Sequence, residues 1–372
     1  MAYLGESIKK LGFGLMRLPF IGGEVDMEQT KQMIDLFMSR GFTYFDTAYG
    51  YNDGKSEKAI GELLVKRYPR DSFTLATKLP AWEAGSAEAA RNMFWTSLER
   101  TGAGYFDFYL HHNVNHERAV YIDKYDLWNF VNEQKNAGLI KYVGMSFHDK
   151  ADVLDQMLTE HPELDFVQLQ LNYADWESEY LQARRNYEVA RKHGKPITVM
   201  EPIKGGSLTL LPPQVADIFH KVNPDESLAS WALRFVASHE GIITVLSGMS
   251  TLEQVDENTR FMQDWKPLND EEMEAVNKVM KALDEIEQIP CTKCCYCTKG
   301  CPMGVNIPEI FKAYNNYLVF NNMRGAIANY GWATRDGGFA SKCIECGQCE
   351  SVCPQQIPII ENLKKARKLL EN

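Results

Sequence analysis

Nine cysteines lie between positions 291 and 353, and the 290 residues before them contain none. Eight of them form two runs of one spacing. Cys291, Cys294, Cys297 and Cys301 are closed by Pro302, and Cys343, Cys346, Cys349 and Cys353 by Pro354. Gaps of two residues wrap a chain around a cube and present three thiolates to three irons. The proline turns the fourth cysteine away, toward a second cluster. The spacing therefore predicts two 4Fe–4S clusters with crossed ligation. Cys291, Cys294, Cys297 and Cys353 would hold one, and Cys343, Cys346, Cys349 and Cys301 the other. Structural zinc uses separated CxxC pairs, which four cysteines within eleven residues, twice over, do not resemble. Cys295 lies outside the spacing and reads as a small residue packed beside a cluster.

A second constellation sits at the ends of β-rich runs. Asp46 ends one and is followed by Thr47-Ala48-Tyr49-Gly50-Tyr51; Lys78 ends the next; His111-His112 ends the one after. Together these types make a proton donor. A lone tyrosine has a pKa near 10 and is a poor acid at neutral pH. A neighbouring ammonium favours the phenolate and lowers that pKa. A carboxylate would hold the lysine charged, and a histidine would orient a carbonyl oxygen. Such a set suits carbonyl reduction, in which hydride adds to carbon and the tyrosine protonates oxygen.

The elements that must position these groups can be read from the same sequence. Short β-rich runs at 11–18, 43–46, 73–78, 106–111, 142–146, 166–171, 197–200 and 242–246 alternate with amphipathic stretches. The latter begin near Asp26, Lys55, Ser86, Ile122, Lys150, Leu181, Leu228 and Thr251. Apolar residues such as Met33, Ile34, Phe37 and Met38 recur at helical spacing. Gly41, Gly102, Gly138 and Gly194 follow helical stretches, where a left-handed cap favours glycine. Eight strand–helix units in about 255 residues fit an α/β fold of (β/α)8 TIM-barrel type. In such a barrel catalytic groups sit at the carboxyl ends of strands, where the constellation lies. A doubly wound sheet would announce its cofactor by GxGxxG after the first strand, and Gly12-Phe13-Gly14-Leu15-Met16-Arg17 lacks the third glycine.

The expected domains are a barrel over 1–268, a connecting helix over 269–289 and a small, mainly helical ferredoxin-like domain over 290–372. Within the last, a helix is expected over 308–320, a turn at Gly337-Gly338 and a closing helix carrying Ile359, Leu363, Ala366 and Leu370.

Residues 1–290 carry 30 Lys+Arg against 44 Asp+Glu, and residues 291–372 carry 10 against 6. An acidic main body disfavours nucleic acid, whose affinity rests on neutralising phosphates. The basic tail balances thiolate and cluster charge. No run of about 18 apolar residues exists to span a membrane. The start, Met1-Ala2-Tyr3-Leu4-Gly5-Glu6, is unlike a secretory signal. A cytoplasmic protein is expected, and nine clustered cysteines then point to metal before disulfides.

The segments Phe45-Asp46-Thr47-Ala48-Tyr49-Gly50-Tyr51 with Ser56-Glu57, Ala76-Thr77-Lys78 and Asp107-Phe108-Tyr109-Leu110-His111-His112 resemble the aldo-keto reductases. The whole chain is similar to the branch with a C-terminal ferredoxin-type domain. The resemblance implies a catalytic tetrad of Asp46, Tyr51, Lys78 and His112. His112 is preferred to His111 because the motif places its histidine five residues after Asp107. Neighbours on a strand face opposite ways, so only one can reach the mouth. The resemblance further implies NAD(P)H, with Ser146 and Gln168 at the nicotinamide amide, Gly205 and Gly206 over the pyrophosphate, and Glu257 and Asn258 at the adenine end. Phe147 stands where the family usually has asparagine, Met200 where an aromatic residue stacks, and Gly248 and Gln254 where basic residues bind a 2′-phosphate. NADH and NADPH both remain open.

The expected function is an oxidoreductase reducing a small aldehyde or ketone, or oxidising the alcohol. A hydride carries two electrons and a cluster passes one. Three arrangements follow: structural clusters, clusters fed through a flavin at the barrel mouth, or electron delivery straight to a substrate radical. A ferredoxin or another one-electron carrier would be the partner. The competing readings are an electron-transfer or interaction protein whose barrel no longer turns over substrate, and a redox sensor.

Overall fold

The structure, a computed structural model, describes residues 4–371. Met1–Tyr3, part of the start that argued against a signal, and Asn372 lie outside the described residues. No helix among the described residues is long and apolar enough to cross a membrane.

Eight parallel strands close into a barrel. They are β1 (Leu11–Gly14), β2 (Tyr44–Asp46), β3 (Thr74–Leu79), β4 (Phe106–Val114), β5 (Ile140–Phe147), β6 (Phe166–Gln170), β7 (Ile197–Met200) and β8 (Ile242–Ser247). Each pairs with its sequence neighbours, and β1 closes on β8. The helices of this part are α1 (Met27–Ser39), α2 (Lys55–Ile60), α3 (Ala87–Thr101), α4 (His116–Lys124), α5 (Leu127–Asn136), α6 (Ala151–Glu160) and α7 (Ala183–Lys192). After α8 (Pro213–Val222) come α9 (Leu228–Ala237) and α10 (Leu252–Gln263).

Local chemistry sets many of these boundaries. Asp26 caps α1 by accepting from Gln29 N at 3.0 Å, and Ser86 caps α3 by accepting from Ala89 N at 3.1 Å. Gly41, Gly102, Gly138 and Gly194 all take positive φ at helix ends, as expected. Tyr44, Phe108, Leu110, Phe166, Ile243 and Leu246 pack into one buried cluster. At the amino end of β4, buried Asp107 accepts from Leu75 N at 2.9 Å, from Arg70 at 2.8 Å and from Lys141 at 2.8 Å. It is therefore a structural anchor at the end of the barrel away from the chemistry.

The structure corrects several boundaries. β1 stops at Gly14 instead of Leu18, because the chain turns into a 3-10 segment over Leu15–Arg17. A small hairpin of Phe20–Ile21 and Glu24–Val25 follows, turned by Gly22-Gly23, both at positive φ. The single helix expected from Ile122 is two helices, α4 and α5, split where Asp126 adopts φ 54°. α8 was not expected; its Pro212-Pro213 start reads as a breaker, yet proline suits a first helical turn.

The chain forms two compact units. One runs to Pro202 and resumes over Ala229–Leu268; the other comprises Ile203–Leu228 and the chain from Asn269 onward. The second unit contains α8, α11 (Asp270–Asp284), α12 (Tyr296–Lys299), α13 (Ile307–Phe320), α14 (Met323–Thr334), α15 (Gln348–Ser351) and α16 (Ile359–Leu370). Asn269 and Glu272 form a reciprocal capping box on α11. α14 was not expected, since its two glycines and weak amphipathicity carry little helical signal. The core of this second unit joins Val305, Ile307, Ile310, Phe311, Ile359 and Leu363 to Cys297 and Cys349. Buried Ser207 donates to Asn316 Oδ1 at 2.8 Å and accepts from Asn322 Nδ2 at 3.0 Å. Residues 203–228 thus group with the C-terminal helices through specific side-chain bonds.

Candidate active site

Asp46, at the carboxyl end of β2, and Lys78, near that of β3, are both buried. Lys78 Nζ donates to Asp46 Oδ1 at 2.5 Å, to Thr47 O at 2.8 Å and to the Tyr51 hydroxyl at 3.3 Å. One ammonium therefore spends three protons on a carboxylate, a carbonyl and a phenol. His112 turns its ring edge-on to Tyr51, centroid to centroid 5.7 Å. The structure brings these four residues together.

Burial opposes the Lys78 charge, but Asp46 and Tyr51 raise its pKa overall. Burial also raises Asp46, against the pull of Lys78. For Tyr51 the direction differs from the sequence expectation. Lys78 does favour the phenolate, but burial is larger and the pKa rises. Tyr51 thus keeps its proton at rest. Burial, helped by Lys78, His148 and Arg118, pushes His112 well below the ordinary histidine value. It is a neutral imidazole, and among the described residues its buried Nδ1 has no partner.

The loop that presents Tyr51 has its own logic. Asn52, Asp53 and Gly54 follow it in left-handed conformation, at φ 53°, 57° and 79°. Asn, Asp and Gly are the types that tolerate this region. Behind the loop, fully buried Glu57 accepts from Thr77 Oγ1 at 2.8 Å and from Arg100 at 3.1 Å. Arg100 also donates to Tyr49 O at 2.9 Å. Sequence reasoning missed this support; a glutamate two residues into a helix carries no signal that it is buried.

His111 faces away from Tyr51. Its ring packs on Trp128 of α5 at 4.3 Å, and burial lowers its pKa to about 3.

The residues expected at a nucleotide are placed as follows. Ser146 and Gln168 are register partners on β5 and β6. Ser146 Oγ accepts from Asn113 N at 2.7 Å, which leaves its O–H to donate. Gln168 Nε2 donates to Asp46 Oδ2 at 3.3 Å, tying this pair to Lys78. That polar, donor-rich set fits a carboxamide. Asn258 on α10 is buried and donates to Ser247 Oγ at 3.0 Å, while Glu257 is exposed. Gly205 and Gly206, at φ 62° and 92°, lie in the second unit, where Gly206 N donates to Ile203 O at 3.0 Å. Phe147 is buried and Met200 half-buried. A Cβ on Gly248 would meet Arg17 Cδ at 3.1 Å.

The cysteines line two separate cavities. Cys301, Cys343, Cys346 and Cys349 line one; Cys291, Cys294, Cys297 and Cys353 line the other, with Cys295 beside them. Each run thus sends its last cysteine to the other's cavity. Soft thiols in apolar walls fit iron–sulfur clusters. Burial pushes the Cys291 and Cys349 thiols up, and Cys297 up to about 11. Bound metal charge reverses that preference.

Comparison with known proteins agrees with this geometry. The 4Fe-4S dicluster domain matches residues 290–357. An aldo-keto reductase of Mycolicibacterium vanbaalenii is 28% identical over 270 residues, covering 66% of this chain and 91% of its own. The NADH-specific methylglyoxal reductase of Escherichia coli is 25% identical over 300 residues, covering 68% and 89%. The fold is shared with an aldo-keto reductase from Klebsiella pneumoniae solved in complex with NADPH, at TM-score 0.58 and 20% identity, over 73% of this chain and 91% of that one. The family model of the aldo/keto reductases matches residues 10–281, so the chain belongs to the aldo/keto reductase family, with a C-terminal 4Fe-4S dicluster domain.

Proposed function

We propose that this chain reduces a small aldehyde or ketone, or oxidises the corresponding alcohol, with Tyr51 as proton donor. The carrying observation is the Lys78 ammonium shared between Asp46 and the Tyr51 hydroxyl, with His112 edge-on to the same phenol. A bound NAD(P)H supplies hydride to the carbonyl carbon. Ser146 and Gln168 are the residues to hold its carboxamide. Glu257 and Asn258 are proposed for its adenine end. Similarity to a protein named as NADH-specific and to another crystallised with NADPH supports a nicotinamide and leaves its form to experiment.

Tyr51 gives its proton to the oxygen as negative charge develops there. Lys78 stabilises the phenolate left behind, and Asp46 keeps Lys78 charged and aimed. A neutral imidazole carries one N–H, and His112 points it at the substrate oxygen. The hydroxyl of Tyr51 takes its proton back from water when product leaves.

Cys291, Cys294, Cys297 and Cys353 are proposed to hold one 4Fe–4S cluster, and Cys343, Cys346, Cys349 and Cys301 the other. The two cavities support that grouping. Clusters held there would exchange one electron each, which would suit a ferredoxin or similar carrier as partner; a flavin would be needed to couple that to hydride.

The test is steady-state aldehyde reduction with NADH and with NADPH by wild type and Tyr51→Phe. Loss of turnover by about 10²–10⁴-fold with nucleotide binding intact supports the reading. Wild-type protein that binds neither nucleotide overturns it.

A further inference from the structure

β4 does not pair evenly with β5. His111 sits opposite Met145 and Val114 opposite Phe147, so His112 and Asn113 together face the single residue Ser146. Two residues against one is a β-bulge, a feature common beside active sites. This one carries the histidine of the tetrad and its neighbour. Asn113 takes φ 52°, in the left-handed region. Asparagine enters that region more readily than most residues, and a β-branched residue there is an outlier.

The bulge is held from both sides. His111 and Met145 pair before it, and after it His148 N donates to Val114 O at 2.8 Å. Further along, His116 N donates to Asp149 Oδ2 at 2.9 Å, and its ring Nδ1 lies 2.7 Å from the same oxygen. Within the bulge, Asn113 N donates to Ser146 Oγ at 2.7 Å. An unusual φ persists where its surroundings over-determine it. Ser146 is buried. A hydroxyl has one O–H and accepts through its lone pairs. With the Asn113 N–H on a lone pair, the Ser146 O–H is left to point elsewhere. Gln168, the register partner of Ser146 on β6, turns its Nε2 to Asp46, which leaves its Oε1 as acceptor.

A primary carboxamide asks for both roles, a donor for its carbonyl oxygen and an acceptor for its NH₂. We propose that Asn113 is a positioning residue for the nucleotide: its left-handed backbone aims an N–H at Ser146 Oγ, and this fixes the Ser146 hydroxyl as donor to the carbonyl oxygen of the nicotinamide carboxamide. The Asn113 side chain matters through the φ that it permits. The same bulge carries His112, so one backbone feature sets both a nicotinamide contact and the group that orients the substrate carbonyl. The inference rests on the reductase reading above for the presence of a nicotinamide.

The test is binding, which needs no turnover. Calorimetry gives Kd for whichever of NADH and NADPH wild type binds, and for its reduced thionicotinamide analogue, whose sulfur is the poorer hydrogen-bond acceptor. Wild type should hold the natural nucleotide about 3- to 10-fold tighter, the worth of one neutral hydrogen bond. Asn113→Gly allows the same φ and should keep that ratio. Asn113→Val disfavours it and should bring the ratio close to unity, with no further fall when Ser146→Ala is added. If Asn113→Val does not fold, Asn113→Ala, which disfavours the same φ without β-branching, should lower the ratio part of the way. A ratio near unity in wild type, an unchanged ratio in the folded valine or alanine variant, or an equal fall in Asn113→Gly overturns the role of Asn113 alone. Wild type that binds neither nucleotide overturns the reductase reading, and this role with it.

Discussion

His111 and His112 are chain neighbours on β4 that face opposite sides of the barrel wall. His112 meets Tyr51 at 5.7 Å, and His111 packs on Trp128 at 4.3 Å. The alternation of a strand separates a candidate catalytic group from a packing group by one position. Both are held neutral by burial, so they carry different consequences for pH.

For His111 the consequence is stability. Its folded pKa is about 3, against an unfolded value near 6.5. Below pH 6.5 the unfolded chain binds a proton that the folded chain refuses, so stability falls as pH drops from 6.5 toward 3. At pH 5 the loss is about 2 kcal/mol. In His111→Phe that share of the acid slope disappears, and burying two unpartnered ring nitrogens is avoided. Urea titrations of wild type and variant at pH 7 and pH 5 measure the difference; equal slopes would sink the prediction.

For the tetrad the consequence is a flat pH profile. Tyr51 titrates above its ordinary value of about 10 and His112 well below about 6.5. In the proposed mechanism reduction needs a protonated Tyr51, and orientation of the carbonyl needs a neutral His112. Neither changes state between about pH 7 and 9. kcat/KM for reduction should hold level there, and a break near pH 6.5–7 or 8–9 that vanishes in a His112 or Tyr51 variant would refute the assignment. Lys78→Met removes the cation that stabilises the phenolate, and turnover should fall by about 10²–10⁴-fold.

Gly54 sets the loop that presents Tyr51. Its φ is 79°, and a Cβ would come within 2.7 Å of the Arg100 guanidinium. Gly54→Ala therefore imposes left-handed strain of about 1–2 kcal/mol and displaces Arg100 from Glu57 and Tyr49. Thermal unfolding should show the loss, and kcat should fall with it. Asp53→Ala, whose neighbour keeps its glycine, should be milder in both.

The eight strands were legible because each is a short apolar run between polar or glycine-bearing segments. Asp46 and Lys78 were legible from their places at strand ends. What the sequence hid was either conformational or long-range. Asp126 at φ 54° splits α4 from α5 without a glycine to mark it. The net rise of the Tyr51 pKa depends on burial outweighing Lys78, a balance of magnitudes that residue types do not carry. The grouping of 203–228 with the C-terminal helices rests on Ser207 meeting Asn316 and Asn322, more than a hundred positions away. Asparagine side chains give no sequence sign of such partners.

The crossed cavities make the sharpest prediction about the cysteines. If Cys353 completes the cluster of Cys291, Cys294 and Cys297, then Cys291→Ser and Cys353→Ser damage the same cluster. Their double variant loses no more than either single one and retains about four irons per chain. If Cys301 belongs with Cys343, Cys346 and Cys349, then Cys291→Ser with Cys301→Ser strikes both clusters and leaves essentially no iron. Uncrossed ligation reverses the two results. Each run would then be self-contained, the pair Cys291 and Cys301 would spare one cluster, and the pair Cys291 and Cys353 would destroy both. Iron content and absorbance near 400 nm of anaerobically purified variants decide between them. Cys295→Ser should leave the iron content at the wild-type value, because the spacing assigns that thiol no iron although it lines the same cavity.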